Sequence, residues 1–317
     1  MRNFLVYKFP RYFKPIFPLK TISKKRLFSL LFAFLLTLLI TKVLEATFVV
    51  KIPVFGFHDI VDIQNKPGAF PLPTELKSDY YQQDLEAFLD NLVRDNYWFL
   101  STQELYDYYL SKPSQVLPPE HRHQKKVMIT FDDGYKSVYT NLLPILERLE
   151  NKYGQKIKVV LFVNPGFIGR RGKTLDKANC KELREGFEKG FYDLQSHGLN
   201  HENLTRISAK ALVRELEQAQ IKLRKCTQDL DPNRTVGSHI AYPYGAVNKE
   251  VDKYVSKYYL SGYLYNSLSL KLGFWGTNPY RIPRLTANKK HSVERLTTMA
   301  AGGWLRSLIR SKFKAID

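Results

Sequence analysis

Cysteine is scarce: Cys180 and Cys226 are the only two in 317 residues, too few for a disulfide framework. Neither sits in a CxxC pair, which excludes a thiolate zinc site and a dithiol redox motif of that kind. Both are read as structural, with no bond assigned. Internal repeats and low-complexity tracts are also absent, and the apolar content is ordinary for a folded protein. Acidic residues are missing from the first 26 positions, which carry +8 of the net +19. The other +11 lies in the body of the chain. A basic body can mark a nucleic-acid binder, but no nucleic-acid motif accompanies it and no such partner is expected. Attraction to anionic polymers or lipid headgroups accounts for the charge equally.

Residues 27–40 form an apolar run of 14, flanked by Lys24-Lys25-Arg26 and Lys42. That is short for a bilayer span of about 20 residues and right for a signal-peptide core. Continuation through Val43, Leu44, Phe48, Val49 and Val50 stretches it to a span. Leu44-Glu45-Ala46 is only a passable cleavage site, and the long basic leader favours an uncleaved anchor with its N-terminus in the cytoplasm. A buried core helix is the remaining alternative. The expected organisation is a basic cytoplasmic leader over 1–26, a signal-anchor or signal peptide over 27–50, and one domain over 51–317. That domain then lies outside the cytoplasm, membrane-anchored or secreted.

Past the leader, strand and helix patterns alternate. Residues 53–57 read as a strand ending at His58-Asp59, and Leu85, Phe88, Leu89 and Leu92 recur at helical spacing within 84–95. Ser101 or Thr102 can cap a short helix to Leu110, and 112–126, with Pro113, Pro118 and Pro119, is a loop. Strand 127–131 leads to a helix that must start near Asn141, because Pro144 fits a first turn and not an interior. Val159–Val163 is an uninterrupted apolar run, the mark of a strand covered on both faces. Next come a strand over 191–195, a helix over 208–225, and strands over 237–242 and 259–265 with a helix through Val251 between them. A last strand over 281–286 precedes a C-terminal helix. Alternation implies a parallel sheet, and this many units imply a barrel: an α/β fold, a distorted (β/α) barrel behind an N-terminal membrane segment.

Two segments carry chemistry. Thr130-Phe131-Asp132-Asp133-Gly134 sets adjacent carboxylates at a strand end, and Ser196-His197-Gly198-Leu199-Asn200-His201 sets two imidazoles four residues apart. Alone, the first is an ordinary turn and the second a His pair on one face. Together, one carboxylate and two imidazoles make an incomplete metal shell with positions for water and substrate. The second carboxylate is left to take a proton from that water, the outline of a metal hydrolase. With Asp133, His197 and His201 as ligands, the set suits zinc, with cobalt or nickel as alternatives. Asp132 does not easily reach the same ion, since consecutive extended side chains point apart. His58, Asp132, Asp133, His197 and Tyr244 all follow expected strands, on the face where parallel barrels hold their sites.

These two segments resemble the first two motifs of the polysaccharide deacetylases, carbohydrate esterase family 4, and Ala241-Tyr242-Pro243-Tyr244-Gly245 resembles the third. The resemblance covers roughly 52–296. It implies a metal-dependent hydrolase that removes N-acetyl groups from an N-acetylglucosamine-containing polysaccharide. It also implies Asp132 as general base and the backbone N–H of Tyr244 as oxyanion donor, with Tyr242, Pro243 and Tyr244 at the substrate. Motif three usually opens with an Arg that pairs with the base, and here that position is Ala241. Arg281 or Arg284 is left to supply the charge, Arg284 preferred. The usual acid His near the C-terminus has no counterpart, and His291 follows a polar stretch. The segment 53–59 instead resembles the opening strand of the poly-N-acetylglucosamine deacetylases, a circularly permuted branch. This implies His58 as the acid, oriented by Asp59 or a backbone group. The alternatives are the same fold acting on peptidoglycan sugars or O-acetyl esters, or a catalytically dead carbohydrate-binding protein supported only by the missing Arg. His121 and His123 form a further candidate metal pair.

Overall fold

The computed structural model describes residues 23–62, 76–172, 176–272 and 277–302. The chain divides into two compact units, Met1–Val49 and Val50–Asp317. Most of the expected basic leader, residues 1–22, lies outside the described residues. The first unit contains α1 (Lys24–Phe48), along which Leu27, Phe28, Phe32, Phe34, Leu39 and other large apolar side chains are exposed. Among the described residues no helix is long and apolar enough to cross a membrane. The described side chains of α1 open on Lys24, Lys25 and Arg26, which shortens their apolar stretch.

The second unit begins with β1 (Val50–Ile52), β2 (Val54–Phe57), β3 (Ile60–Val61), β4 (Tyr80–Tyr81), α2 (Gln82–Arg94), β5 (Tyr97–Phe99) and α3 (Thr102–Leu105). It continues through β6 (Lys125–Asp132), α4 (Leu143–Tyr153), β7 (Val159–Val163), α5 (Cys180–Glu188), β8 (Tyr192–Ser196) and α6 (Ala209–Thr227). The last elements are β9 (His239–Ala241), α7 (Lys249–Tyr258), β10 (Ser261–Tyr263), β11 (Leu270–Leu272), β12 (Leu285–Thr286) and α8 (Val293–Ala300). The main sheet runs β10-β9-β8-β7-β6-β2-β12 and is parallel throughout, with β5 also paired to β6. It curls until Tyr263 of β10 bridges Ile282, just before β12. β1 and β11 form a separate antiparallel ribbon.

Alternation along β2, β6 and β7 sorts residues between two of three apolar clusters. Val127, Ile129 and Phe131 of β6 join Phe55, Phe57, Val159, Leu161 and Leu194 in one apolar cluster, which the buried leucines of α2 and α4 complete. Met128, Val160, Phe162, Val54, Ala241 and Tyr263 form the other, inside the curl. By the same period, Thr130 and Asp132 belong to the inside. Gly56 leaves room there, since a Cβ would come 2.9 Å from the Tyr265 ring.

The expected elements are present with shifted ends: β6 starts at Lys125, inside the expected loop over 112–126, and runs to Asp132, while β9 and β10 are shorter than expected. The expected strand over 281–286 keeps only Leu285–Thr286 as strand, with Ile282 as an isolated bridge. Pro144 sits at the second position of α4, after a wider turn over Val138–Leu142. Helix α5 was not expected. Its Gly186 argues against a helix, yet a Cβ there would lie 2.0 Å from the Tyr192 ring. A reciprocal cap between Asn179 and Glu182 starts it. Cys180 in α5 and Cys226 in α6, to which no bond was assigned, are joined as a disulfide with Cα atoms 5.6 Å apart.

Candidate active site

Strand β6 delivers Asp132 to the inside of the curl with 2 % of its surface exposed, beside a wholly buried Arg284. The guanidinium grips both carboxylate oxygens, Nη1 to Oδ1 at 2.6 Å and Nη2 to Oδ2 at 2.7 Å. It also donates to Thr130 Oγ1 and the Leu264 carbonyl, between the rings of Phe162 and Tyr265. Arg284 thus brings to Asp132 the charge that Ala241 lacks. Arg281 is engaged elsewhere, on Asp252 at 2.7 and 3.0 Å. Burial pushes the Asp132 carboxyl up, but Arg284 together with the neighbouring His197 and His58 holds the group well below the usual carboxylate range.

Asp133 is the first residue after β6 and leaves the strand with φ 70, so its side chain turns away from that of Asp132. Its Oδ1 lies 3.6 Å from His197 Nε2 and 3.3 Å from His201 Nε2. His197 follows β8 directly, and its Nδ1–H donates to the Ala241 carbonyl at 2.9 Å, leaving Nε2 toward the carboxylates. Burial lowers the His197 pKa, keeping the imidazole neutral as a ligand must be. Ligand atoms of Asp133, His197 and His201 all lie within 4.8 Å of one another, the one such cluster among the described residues. Tetrahedral coordination at zinc distances separates neighbouring ligand atoms by about 3.4 Å, close to both measured separations. The donor set therefore fits one divalent ion. Lys177 braces the turn, with Nζ 3.0 Å from the Asp133 carbonyl and 3.6 Å over the Tyr135 ring.

His58 follows β2, its ring edge-on to Tyr265 at 5.2 Å, and its buried Nδ1 has no hydrogen-bond partner among the described residues. It is near enough to Asp132 and Asp133 to act on both carboxyls. Asp59 accepts from the Ile60 N–H and the Ser137 hydroxyl. Tyr244 stands at the turn after β9 with φ 61, 68 % exposed, its ring 4.5 Å from that of His201. Asp133, His201 and Tyr244 are three of the six described non-glycine residues at positive φ, which concentrates backbone strain at this site. Tyr242 and Pro243, expected at the substrate, are buried. Tyr242 donates its hydroxyl to the Tyr280 carbonyl and packs with Leu204, Leu212 and Leu216, so both support the turn from behind.

His121 stacks on Trp98 at 4.0 Å and bonds Gln124 through Nδ1, and His123 is exposed, so no metal pair forms there. His291 bonds the Asn288 N–H through Nδ1. Tyr265, Tyr135 and Lys177 were missed from the sequence. Tyr265 ends an expected strand and Tyr135 adjoins the Asp-Asp-Gly turn, both usable signals. Lys177 lies in a lysine-rich stretch that offers none.

Residues 120–262 match the family model described as polysaccharide deacetylase. A poly-beta-1,6-N-acetyl-D-glucosamine N-deacetylase of Staphylococcus aureus (strain MRSA252) is 28 % identical over 276 residues, 78 % of this chain and 91 % of that protein. A polysaccharide deacetylase from Bacillus cereus superposes with a TM-score of 0.64 at 21 % identity, covering 79 % of this chain and 69 % of the other. IcaB from Ammonifex degensii does so with a TM-score of 0.59 at 20 % identity, covering 79 % and 97 %. At those identities the structural likeness bears on the fold alone.

Proposed function

We propose, from the polysaccharide deacetylase domain that this chain carries, that it hydrolyses N-acetyl groups of an N-acetylglucosamine-containing polysaccharide. The observation that carries the reading is the division of labour between adjacent carboxylates: Asp132 clamped by Arg284, Asp133 turned to two imidazoles. The matched Staphylococcus aureus protein supplies the substrate class. The reading of a dead carbohydrate-binding protein loses its support, because Arg284 pairs with Asp132 where the motif-three Arg is missing.

Asp133, His197 and His201 would hold the divalent ion, zinc by donor type. When bound, it supplies Lewis acidity, lowering the pKa of a water molecule and polarising an acetyl carbonyl. Asp132 would take a proton of the attacking water. Arg284 keeps the carboxylate ionised and fixes both its oxygens, so the base is aimed before substrate arrives. The Tyr244 N–H would donate to the developing oxyanion, a role worth about 3 kcal/mol. His58 donates a proton to the departing nitrogen as the carbon–nitrogen bond breaks, yielding acetate and a free amine. Tyr265, edge-on to His58, holds that ring in place.

The body would work outside the cytoplasm, with residues 27–50 as an uncleaved anchor. The Cys180–Cys226 bond fits an oxidising compartment, and the basic leader before the apolar run fits a cytoplasmic N-terminus. The test is acetate release from poly-N-acetylglucosamine by the full chain in detergent. Release is expected to stop with a chelator and return with zinc. Release that ignores the chelator, or none at all with metal supplied, would refute the reading.

A further inference from the structure

We propose that Glu215 is a positioning residue for His201, acting through Asn200; the inference rests on the metal reading above. α6 turns Leu212, Leu216, Ala219 and Leu223 inward, and among these apolar side chains it also buries Glu215, 4 % exposed. A carboxylate is costly in such a stripe unless its oxygens are hydrogen-bonded. Here both are, and both bonds go to one residue. Oε2 accepts from the Asn200 backbone N–H at 2.9 Å and Oε1 from Asn200 Nδ2 at 2.9 Å.

Asn200 immediately precedes His201, whose φ of 58 is a left-handed value that a non-glycine residue keeps only when its surroundings impose it. At the other end of the loop, Asn164 donates through Nδ2 to the His197 and Gly198 carbonyls. The Leu199 carbonyl accepts from the Gly166 N–H at 2.8 Å. Asn200 Oδ1 fills the space beside Gly166, where a Cβ would come within 2.3 Å of it. The strand end and Asn164 thus set His197, while Glu215 sets the far end that carries His201. Asn200 presents two donors, and a carboxylate is the side chain that meets both with acceptors.

The test titrates zinc into the full chain in detergent against a competing chelator, and records the visible absorption of the cobalt-loaded protein. E215Q sets an amide donor against Asn200, and E215D keeps the charge but shortens the reach. Each is expected to weaken zinc binding by about 10–100-fold and to change the cobalt spectrum as His201 disengages. The double variant N200D/E215Q reverses donor and acceptor, and is expected to regain wild-type affinity and spectrum. E215D binding zinc like the wild type would reduce the effect to charge and overturn the proposal, as would failure of the double variant to regain affinity. If the Glu215 variants do not fold, N200A carries the test, and unchanged affinity there overturns it. Zinc failing to bind the wild-type chain would overturn both readings, whereas wild-type binding with unaltered variants overturns this one alone.

Discussion

Asp132 and Arg284 are both enclosed by protein, so neither charge is stable without the other. Arg284→Met leaves an unpaired carboxylate in the interior and is expected to cost about 3–5 kcal/mol in denaturant unfolding at neutral pH. The pH sign follows from the same contact. A depressed carboxyl contributes stability above its unfolded pKa and loses it as pH falls through the folded value. Without Arg284, the upward push of burial on the Asp132 pKa loses its main opponent. The acid limb of the pH–rate profile should then move up by roughly one unit or more. Equal stability and an unmoved limb would show that the pair has no energetic role. Arg284→Lys keeps the charge but not the fork, and should recover only part of the loss. At this scale the sequence was uneven. The adjacent carboxylates and the spaced histidines announce themselves, because ligand chemistry restricts residue type and spacing. Which arginine reaches Asp132 depends on the register of β12, and Tyr242 lies two residues from an exposed Tyr244 yet faces the core.

Elements were legible where burial leaves a continuous signature. β7 is apolar at every position, and the inward stripes of α2, α4 and α6 recur at helical spacing. α5 escaped because its glycine answers a tertiary demand, the Tyr192 ring, which no local pattern reveals. The ribbon of β1 and β11 escaped because two short strands so far apart in the chain give no local sign of their pairing. The disulfide between α5 and α6 joins residues 46 apart, a pairing fixed by how the two helices pack. Closing a loop of that length is worth up to about 4 kcal/mol through the unfolded state. A Cys180→Ser/Cys226→Ser variant should therefore lose about 2–4 kcal/mol in denaturant unfolding, with the zinc affinity of the folded protein unaltered. A variant as stable as the wild type would show that helix packing alone holds α5.

For the whole molecule, alternating strands and helices sufficed to foresee a parallel curled sheet with its chemistry at the strand ends. They did not foresee how the curl meets itself. β7 and β8 pair over five residues, and β2 and β6 over four, whereas Tyr263 and Ile282 meet at one, as Ser196 of β8 and Ile240 of β9 do. That contact is a seam, and a seam opens at lower free energy than the long pairings of β7 with β8 and β2 with β6. In native-state hydrogen exchange the amides of Leu264 and Ile282, which close it, should lose protection before that of Leu161 in β7. Simultaneous exchange would mean that the curl opens only by global unfolding. Arg284 stands two residues beyond Ile282, so each breath of the seam would also loosen the grip on Asp132. The Asp132 carboxylate would then be held or released by a motion at the edge of the curled sheet.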